Sequence, residues 1–178
     1  MKPRLVILSD LWGKGKSEWV KTYEEILKHD YEIRFYDCCE LGELEILDYT
    51  EIKLHEQFVN GGIETAAQKL VYLEKGKIDV MAFSIGGTIA WNAALKGLDI
   101  GNMLAISSTR LRYETEVPNC EIMLYFGEKD NNNPNEAWFK KNETICEVVN
   151  GKRHDMYYES NFARKVCDVI LSKRKDRL

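Results

Sequence analysis

Short apolar runs alternate along this chain with stretches whose apolar residues return every third or fourth position, and that alternation limits the fold more than any single motif does. Arg4 to Ser9 (RLVILS) is an apolar run closed by Asp10 and a glycine-containing loop, the pattern of a buried strand feeding a turn. Trp19, Tyr23, Ile26 and Leu27 then give one apolar helix face between about Ser17 and Lys28. Tyr31 to Asp37 (YEIRFYD) alternates in polarity, as a strand with one better-buried face does. The acidic stretch that follows carries little periodicity of either kind. Ile63, Ala66, Ala67, Leu70 and Val71 mark a second helix, with Gly76 where it should stop before a strand at Ile78 to Phe83. A small-residue helix from about Ile85 to Lys96 is followed by strands at Met103 to Ile106, Glu121 to Phe126 and Thr144 to Val149. Before the last of these, Asn133, Pro134 and Glu136 fit the N-cap, first-turn proline and third-position glutamate of a short helix through Trp138. A closing helix through Phe162, Val166, Val169 and Ile170 ends in Lys173, Arg174 and Lys175, cations suited to its negative dipole end.

The alternation predicts an α/β protein, a three-layer α/β/α sandwich with a mostly parallel central sheet. A chain of 178 residues suits one core, and no repeat or linker divides it, so a single domain over residues 1–178 is expected. Hydrophobic residues at 44% and charged residues at 30% exclude a disordered or low-complexity chain. A net charge of −4 provides no broad field for phosphate backbones, so no nucleic-acid partner is expected. No apolar run approaches the roughly 18 residues of a membrane span, and the first residues read as a strand rather than a signal peptide. No membrane association and a cytoplasmic location are therefore expected. The cysteines, Cys38, Cys39, Cys120, Cys146 and Cys167, are odd in number and lack C-x-x-C spacing, which reads as core thiols and no metal site.

Ligands of parallel, helix-covered sheets bind beyond the carboxyl ends of the strands. The residues of interest are thus Asp10 to Gly15, Ser84 to Gly87, Ser107 to Arg112, Gly127 to Asp130 and Gly151 to His154. Among them Ala82-Phe83-Ser84-Ile85-Gly86-Gly87 lies at a strand-to-helix junction, with small residues two before and two after a serine. That segment resembles the nucleophile elbow of the α/β-hydrolase superfamily, in which a strained turn lifts a serine hydroxyl above the sheet. The first small residue is alanine here where the family's G-x-S-x-G has glycine.

The resemblance implies partners in the order serine, acid, histidine. Asp130 follows one strand end and His154 the next, while His29 and His55 follow no strand. A serine hydroxyl needs an imidazole to take its proton and a carboxylate to orient that imidazole, so Ser84, His154 and Asp130 are the implied triad. The implied oxyanion hole is the backbone N–H of Ile85 together with that of Leu11. Ser9-Asp10-Leu11-Trp12-Gly13 replaces the family's His-Gly-x-Gly, and an aspartate there suits a developing anion only if its carboxylate points elsewhere. Trp12 would wall the pocket, while Arg110, Arg112 and Tyr113 read either as exposed loop groups or as a border of the site that attracts an anionic or polar acyl group. Only Ser107 to Asn119 separates two strands where the family often inserts a lid, so no lid domain is expected. The implied activity is that of a small serine esterase or thioesterase acting on a small-molecule acyl substrate without metal or organic cofactor.

Two other readings stay open. The changed Asp10 loop and the alanine in the elbow permit a non-catalytic small-molecule-binding protein of the same fold. Gly15-Lys16-Ser17, after a strand and before a helix, resembles the end of a nucleotide-binding P-loop, although Asp10 stands where that motif begins with glycine.

Overall fold

Alternate residues of the inner strands pack into different helical layers. In β1 (Arg4–Leu8), Leu5 and Ile7 join one core cluster while Val6 and Leu8 join another. β3 (Ile78–Phe83) and β4 (Ile100–Ile106) divide in the same way and are buried along their whole length, as strands covered on both faces must be. The computed structural model describes residues 2–175 and pairs these strands with β2 (Glu32–Tyr36), β5 (Glu121–Gly127) and β6 (Ile145–Val149). The sheet has six strands, all parallel, in the order β2-β1-β3-β4-β5-β6.

The order explains the layers. The chain moves outward from β1 to β2, then reverses and crosses β1 to lay down β3 and every later strand on the other side. Right-handed crossovers put helices made in opposite directions on opposite faces. One face accordingly carries α1 (Val20–Leu27), joined after β6 by α7 (Ser160–Lys175). The other carries α2 (Cys38–Leu41), α3 (Glu51–Gln57), α4 (Ile63–Leu73), α5 (Ile85–Leu95) and α6 (Glu136–Asn142). The reversal falls between β1 and β3, where the loops leaving adjacent strands diverge and open a crevice. Among the described residues no helix is long and apolar enough to cross a membrane.

Several local expectations need correction. The short helix before β6 is capped by Asn135, whose side chain accepts Trp138 N–H at 2.9 Å, and Asn133 instead donates to Gly127 O at 2.8 Å. α4 ends at Leu73 and not at Gly76, because Glu74 leaves the helix to bury its carboxylate against Arg4 at 3.1 Å and Tyr36 at 2.6 Å. The acidic stretch after β2 forms helices whose starts are marked by caps: Asp37 accepts from Cys39 N and Glu40 N, and Thr50 accepts from Lys53 N. At the last helix, Lys173 pairs with Glu121 at 3.8 Å and Arg174 with Asp30, so those cations also tie α7 to its neighbours.

Candidate active site

Ser84 leaves β3 at φ 50° and ψ −117°, a conformation costly for a residue with a side chain. Its neighbours enforce it. Ser84 N still donates to Ile106 O at 2.8 Å as if the strand continued, yet α5 begins at the next residue. α5 starts tight against the neighbouring strand: a Cβ on Gly86 would sit 2.5 Å from Ser9 O and 2.9 Å from Leu8 Cβ. A Cβ on Gly87 would collide with the Ser108 side chain. The small residues of the elbow motif thus have a steric reason in this molecule.

Two further strand-end loops bring their side chains to Ser84. Ser84 Oγ lies 2.9 Å from His154 Nε2, and His154 Nδ1 lies 2.6 Å from Asp130 Oδ2. The loops are clamped backbone to backbone, since Lys129 N donates to Lys152 O at 2.8 Å and a Cβ on Gly127 would lie 2.5 Å from the same oxygen. Ser107 Oγ donates to His154 O at 2.7 Å, which ties the loop after β4 to the histidine. Burial alone would raise the Asp130 pKa. The hydrogen bond and charge of His154, the Asn132 N–H and the charge of Arg112 outweigh it and hold the carboxyl below its ordinary value of 3.8. This order of groups keeps a proton on Nδ1 and leaves Nε2 to accept from the serine hydroxyl.

In the loop after β1 both carboxylate oxygens of Asp10 are engaged, although the residue lines the same cavity as Ser84. Asp10 is 1% exposed, and its Oδ1 accepts Trp12 N–H at 2.9 Å. Its Oδ2 accepts the hydroxyls of Tyr157 at 3.2 Å and Tyr158 at 3.0 Å. Burial raises the Asp10 pKa above 3.8, opposed by these donors and by the charge of His154. Leu11 and Ile85 line one cavity with Ser84, and neither backbone amide has a hydrogen-bond acceptor among the described residues. Sequence reasoning missed Tyr157 and Tyr158. Their cue was adjacency, two amphipathic rings close behind His154.

The cavity encloses about 1300 Å³ and also takes in Trp12, Arg110, Arg112 and Arg153. Part of its wall is α3 and its N-cap, through Thr50, Ile52 and His55, which corrects the placing of His55 away from the site. Burial and the charges of Arg110 and Arg112 push the His55 imidazole below its ordinary pKa. Trp12 packs edge-on against Tyr49 at 5.5 Å and also borders a second cavity of about 640 Å³.

The glycine-lysine segment is built against phosphate. Gly13–Lys16 forms a 3₁₀ turn whose Lys14 N–H already donates to Asp37 Oδ2 at 2.8 Å, so a carboxylate occupies the concavity. Lys14 pairs with Glu40 at 3.3 Å, and the Lys16 ammonium sits 3.3 Å over the Trp12 ring. Burial raises every thiol pKa: Cys39 and Cys167 to about 12, Cys120 and Cys146 to about 11, and Cys38 well above its ordinary value. None offers a ready thiolate nucleophile.

No protein-family model matches the chain, and no curated protein sequence does. Solved structures match over nearly its full length. A protein described as a hydrolase of the alpha/beta superfamily from Xanthomonas campestris superposes with a TM-score of 0.69 at 14% identity, covering 97% of this chain and 99% of that one. Alpha/beta hydrolase domain-containing protein 10 from mouse gives 0.69 at 12% identity, covering 100% and 92%. A structure from work on carboxylesterases of the thaumarchaeon Nitrososphaera gargenis gives 0.67 at 13%, covering 99% and 92%.

Proposed function

From an α/β-hydrolase fold whose switch-point crevice holds a serine, a histidine and an aspartate in hydrogen-bonded series, we propose that the protein is a serine hydrolase of carboxylic esters or thioesters. The observation that carries this reading is the unbroken line Ser84 Oγ, His154 Nε2, His154 Nδ1, Asp130 Oδ2, at 2.9 and 2.6 Å, starting from a serine at positive φ.

The chemistry follows from that line. Ser84 Oγ attacks the acyl carbonyl carbon as its proton passes to His154 Nε2, and Asp130 stabilises the imidazolium so formed. The carbonyl oxygen becomes an anion facing the amides of Ile85 and Leu11, where each donor contributes about 10²- to 10³-fold in rate. Collapse breaks the bond to the leaving oxygen or sulfur, which takes the proton from His154, and leaves an acyl group on Ser84. Water then attacks the acyl carbon while His154 takes its proton. The second collapse returns that proton to Ser84 Oγ and releases the carboxylic acid. Asp10 has a supporting part: its grip on Trp12 N–H fixes the turn that carries Leu11, and its own charge is engaged by two tyrosine hydroxyls.

A fluorophosphonate probe tests the reading, since it bonds to activated serines. The parent should gain one probe mass, mapped by peptide mass spectrometry to Ser84, and should hydrolyse short-chain 4-nitrophenyl esters. Ser84→Ala should fold, show no labelling and lose turnover by several orders of magnitude. A folded parent that neither labels nor turns over any ester or thioester in a panel would instead be a binding protein on a hydrolase fold.

A further inference from the structure

The proposed reading leaves the substrate unspecified, but one wall of the same cavity is chemically particular. After β4, Ser107 is anchored to the His154 loop, and the chain then forms a 3₁₀ turn, Thr109–Tyr113. Thr109, Arg110 and Arg112 of this turn line the cavity that holds Ser84. Arg112 is held within the protein: it donates to Thr109 O at 2.9 Å, Asn132 O at 3.1 Å and the Tyr113 hydroxyl at 2.9 Å. Arg110 differs. Its side chain is partly buried, and its Nε is wholly buried without a hydrogen-bond partner. No carboxylate among the described residues lies within ion-pair distance of it, and it stacks only over the Tyr113 ring at 4.9 Å.

Buried guanidinium N–H groups are ordinarily paired, because desolvating them without an acceptor is costly. The acids around the cavity do not supply that acceptor. Asp10 receives three donors, Asp130 holds His154, and Glu56 pairs with Lys53 at 2.9 Å. Glu51 and Asp155 are exposed. Arg153 also lines the cavity, but it is exposed and water can satisfy it. Arg110 thus presents a guanidinium without a carboxylate partner on the cavity that also holds Ser84, and its planar fork matches a carboxylate, which it can bind through two N–H donors.

We propose that Arg110 receives a carboxylate of the substrate, so that the enzyme acts on esters or thioesters bearing a second, negatively charged carboxyl group. This rests on the serine-hydrolase reading for its chemistry, and on the unpaired Nε of a cavity-lining Arg110 for its specificity.

Mono-4-nitrophenyl glutarate, which carries the carboxylate on the acyl side, is compared with the neutral 4-nitrophenyl valerate. O-butyryl lactate, with the carboxylate on the alcohol side, is compared with ethyl butyrate by pH-stat. One of the two charged esters should exceed its neutral counterpart at least tenfold in kcat/KM, and that pair identifies which side carries the charge. Arg110→Gln should bring the ratio to about one, mainly through KM. Arg110→Lys should restore it in part, and the exposed Arg164→Gln should leave it as in the parent. In parallel, glutarate and lactate are titrated in thermal melts of Ser84→Ala, with and without Arg110→Gln, which reads carboxylate binding without turnover.

Labelling at Ser84 with equal kcat/KM for charged and neutral esters, or a preference that survives Arg110→Gln, overturns the carboxylate assignment and leaves the hydrolase reading intact. Absent labelling together with an Arg110-dependent melt shift does the reverse. Absent labelling and no shift overturns both.

Discussion

Gly86→Ala is the most demanding test of how the site is built, because it adds one methyl group at a position that touches neither substrate nor triad. The new Cβ would lie 2.5 Å from Ser9 O, about 0.9 Å inside the 3.4 Å at which ordinary contact begins. A second contact, 2.9 Å to Leu8 Cβ, closes the sideways escape. Neither neighbour is a flexible side-chain tip. Ser9 and Leu8 are fully buried, and Ser9 is anchored from two sides, its N donating to Tyr36 O at 3.1 Å and its Oγ accepting Cys38 N–H at 2.9 Å. The strain must therefore separate α5 from the end of β1 by several tenths of an ångström. Overpacking of this kind costs about 1–3 kcal/mol of stability. The rate should fall as well, by up to about 10²-fold, because the shift parts the two loops that carry Ile85 N and Leu11 N, and a misplacement near 1 Å costs that much. Urea unfolding gives the stability loss, and kcat/KM on a neutral 4-nitrophenyl ester, normalised to fluorophosphonate-titrated sites, gives the rate. An alanine variant with parental stability and parental kcat/KM would refute the claim that this close approach sets the geometry.

Other consequences can be read in the same assays. Ser84→Gly should abolish hydrolysis and raise unfolding free energy by about 1 kcal/mol, because the strained φ is cheap for glycine; a destabilised glycine variant would remove strain from the account of the elbow. Asp10 and Asp130 should pull the pH dependence of stability in opposite directions. Asp130, with its pKa lowered, stabilises above about pH 4 and loses that contribution as pH falls, whereas Asp10, with its pKa raised, costs stability as pH rises through its folded value. Asp10→Asn should therefore gain on the parent in urea midpoint between acid and neutral pH, and an unchanging difference would contradict the burial argument. Glu74→Ala removes the acceptor of Arg4 and Tyr36 at a site 3% exposed; a loss of about 3 kcal/mol with fluorophosphonate labelling retained would mark this pair as structural, and a loss below about 0.5 kcal/mol would not.

The order of elements was legible because the central strands are buried on both faces, which leaves few polar residues in Ile78–Phe83 or Ile100–Ile106 to confuse the pattern. That Ser84, Asp130 and His154 come together could be anticipated for a related reason: ligands of a parallel sheet bind at strand ends, and each strand end could be read. What escaped was set by tertiary contacts rather than periodicity. Asn133 and Asn135 cap equally well in isolation, and in the structure the second caps while the amide of the first donates to Gly127 O. α3 was hidden because it exposes most of its surface and buries only Leu54, so it has no apolar stripe to find, although it walls the cavity and brings His55 there. The Asp10 problem could not be resolved from the loop alone. Two of the donors to its carboxylate lie about 150 residues away in Tyr157 and Tyr158, and no local pattern links them to the loop.

The same contrast explains how so short a chain holds three side chains in register. The loops leaving β1, β3, β4, β5 and β6 would be mobile if each were held only by its own turn. Here they are locked pairwise at positions without a Cβ: Gly86 against Ser9, Gly87 against Ser108, and Gly127 against Lys152 and Arg153. Ser107 joins the two sets through His154 O, so displacement at any junction is passed to the next. The serine-to-histidine and histidine-to-aspartate distances are then set by close backbone approaches and short, buried serine side chains, which have little freedom to move. The price of that rigidity falls on the glycines, and a methyl group at Gly127 should disturb the Asp130 to His154 spacing for the same reason that one at Gly86 disturbs the loops after β1 and β3.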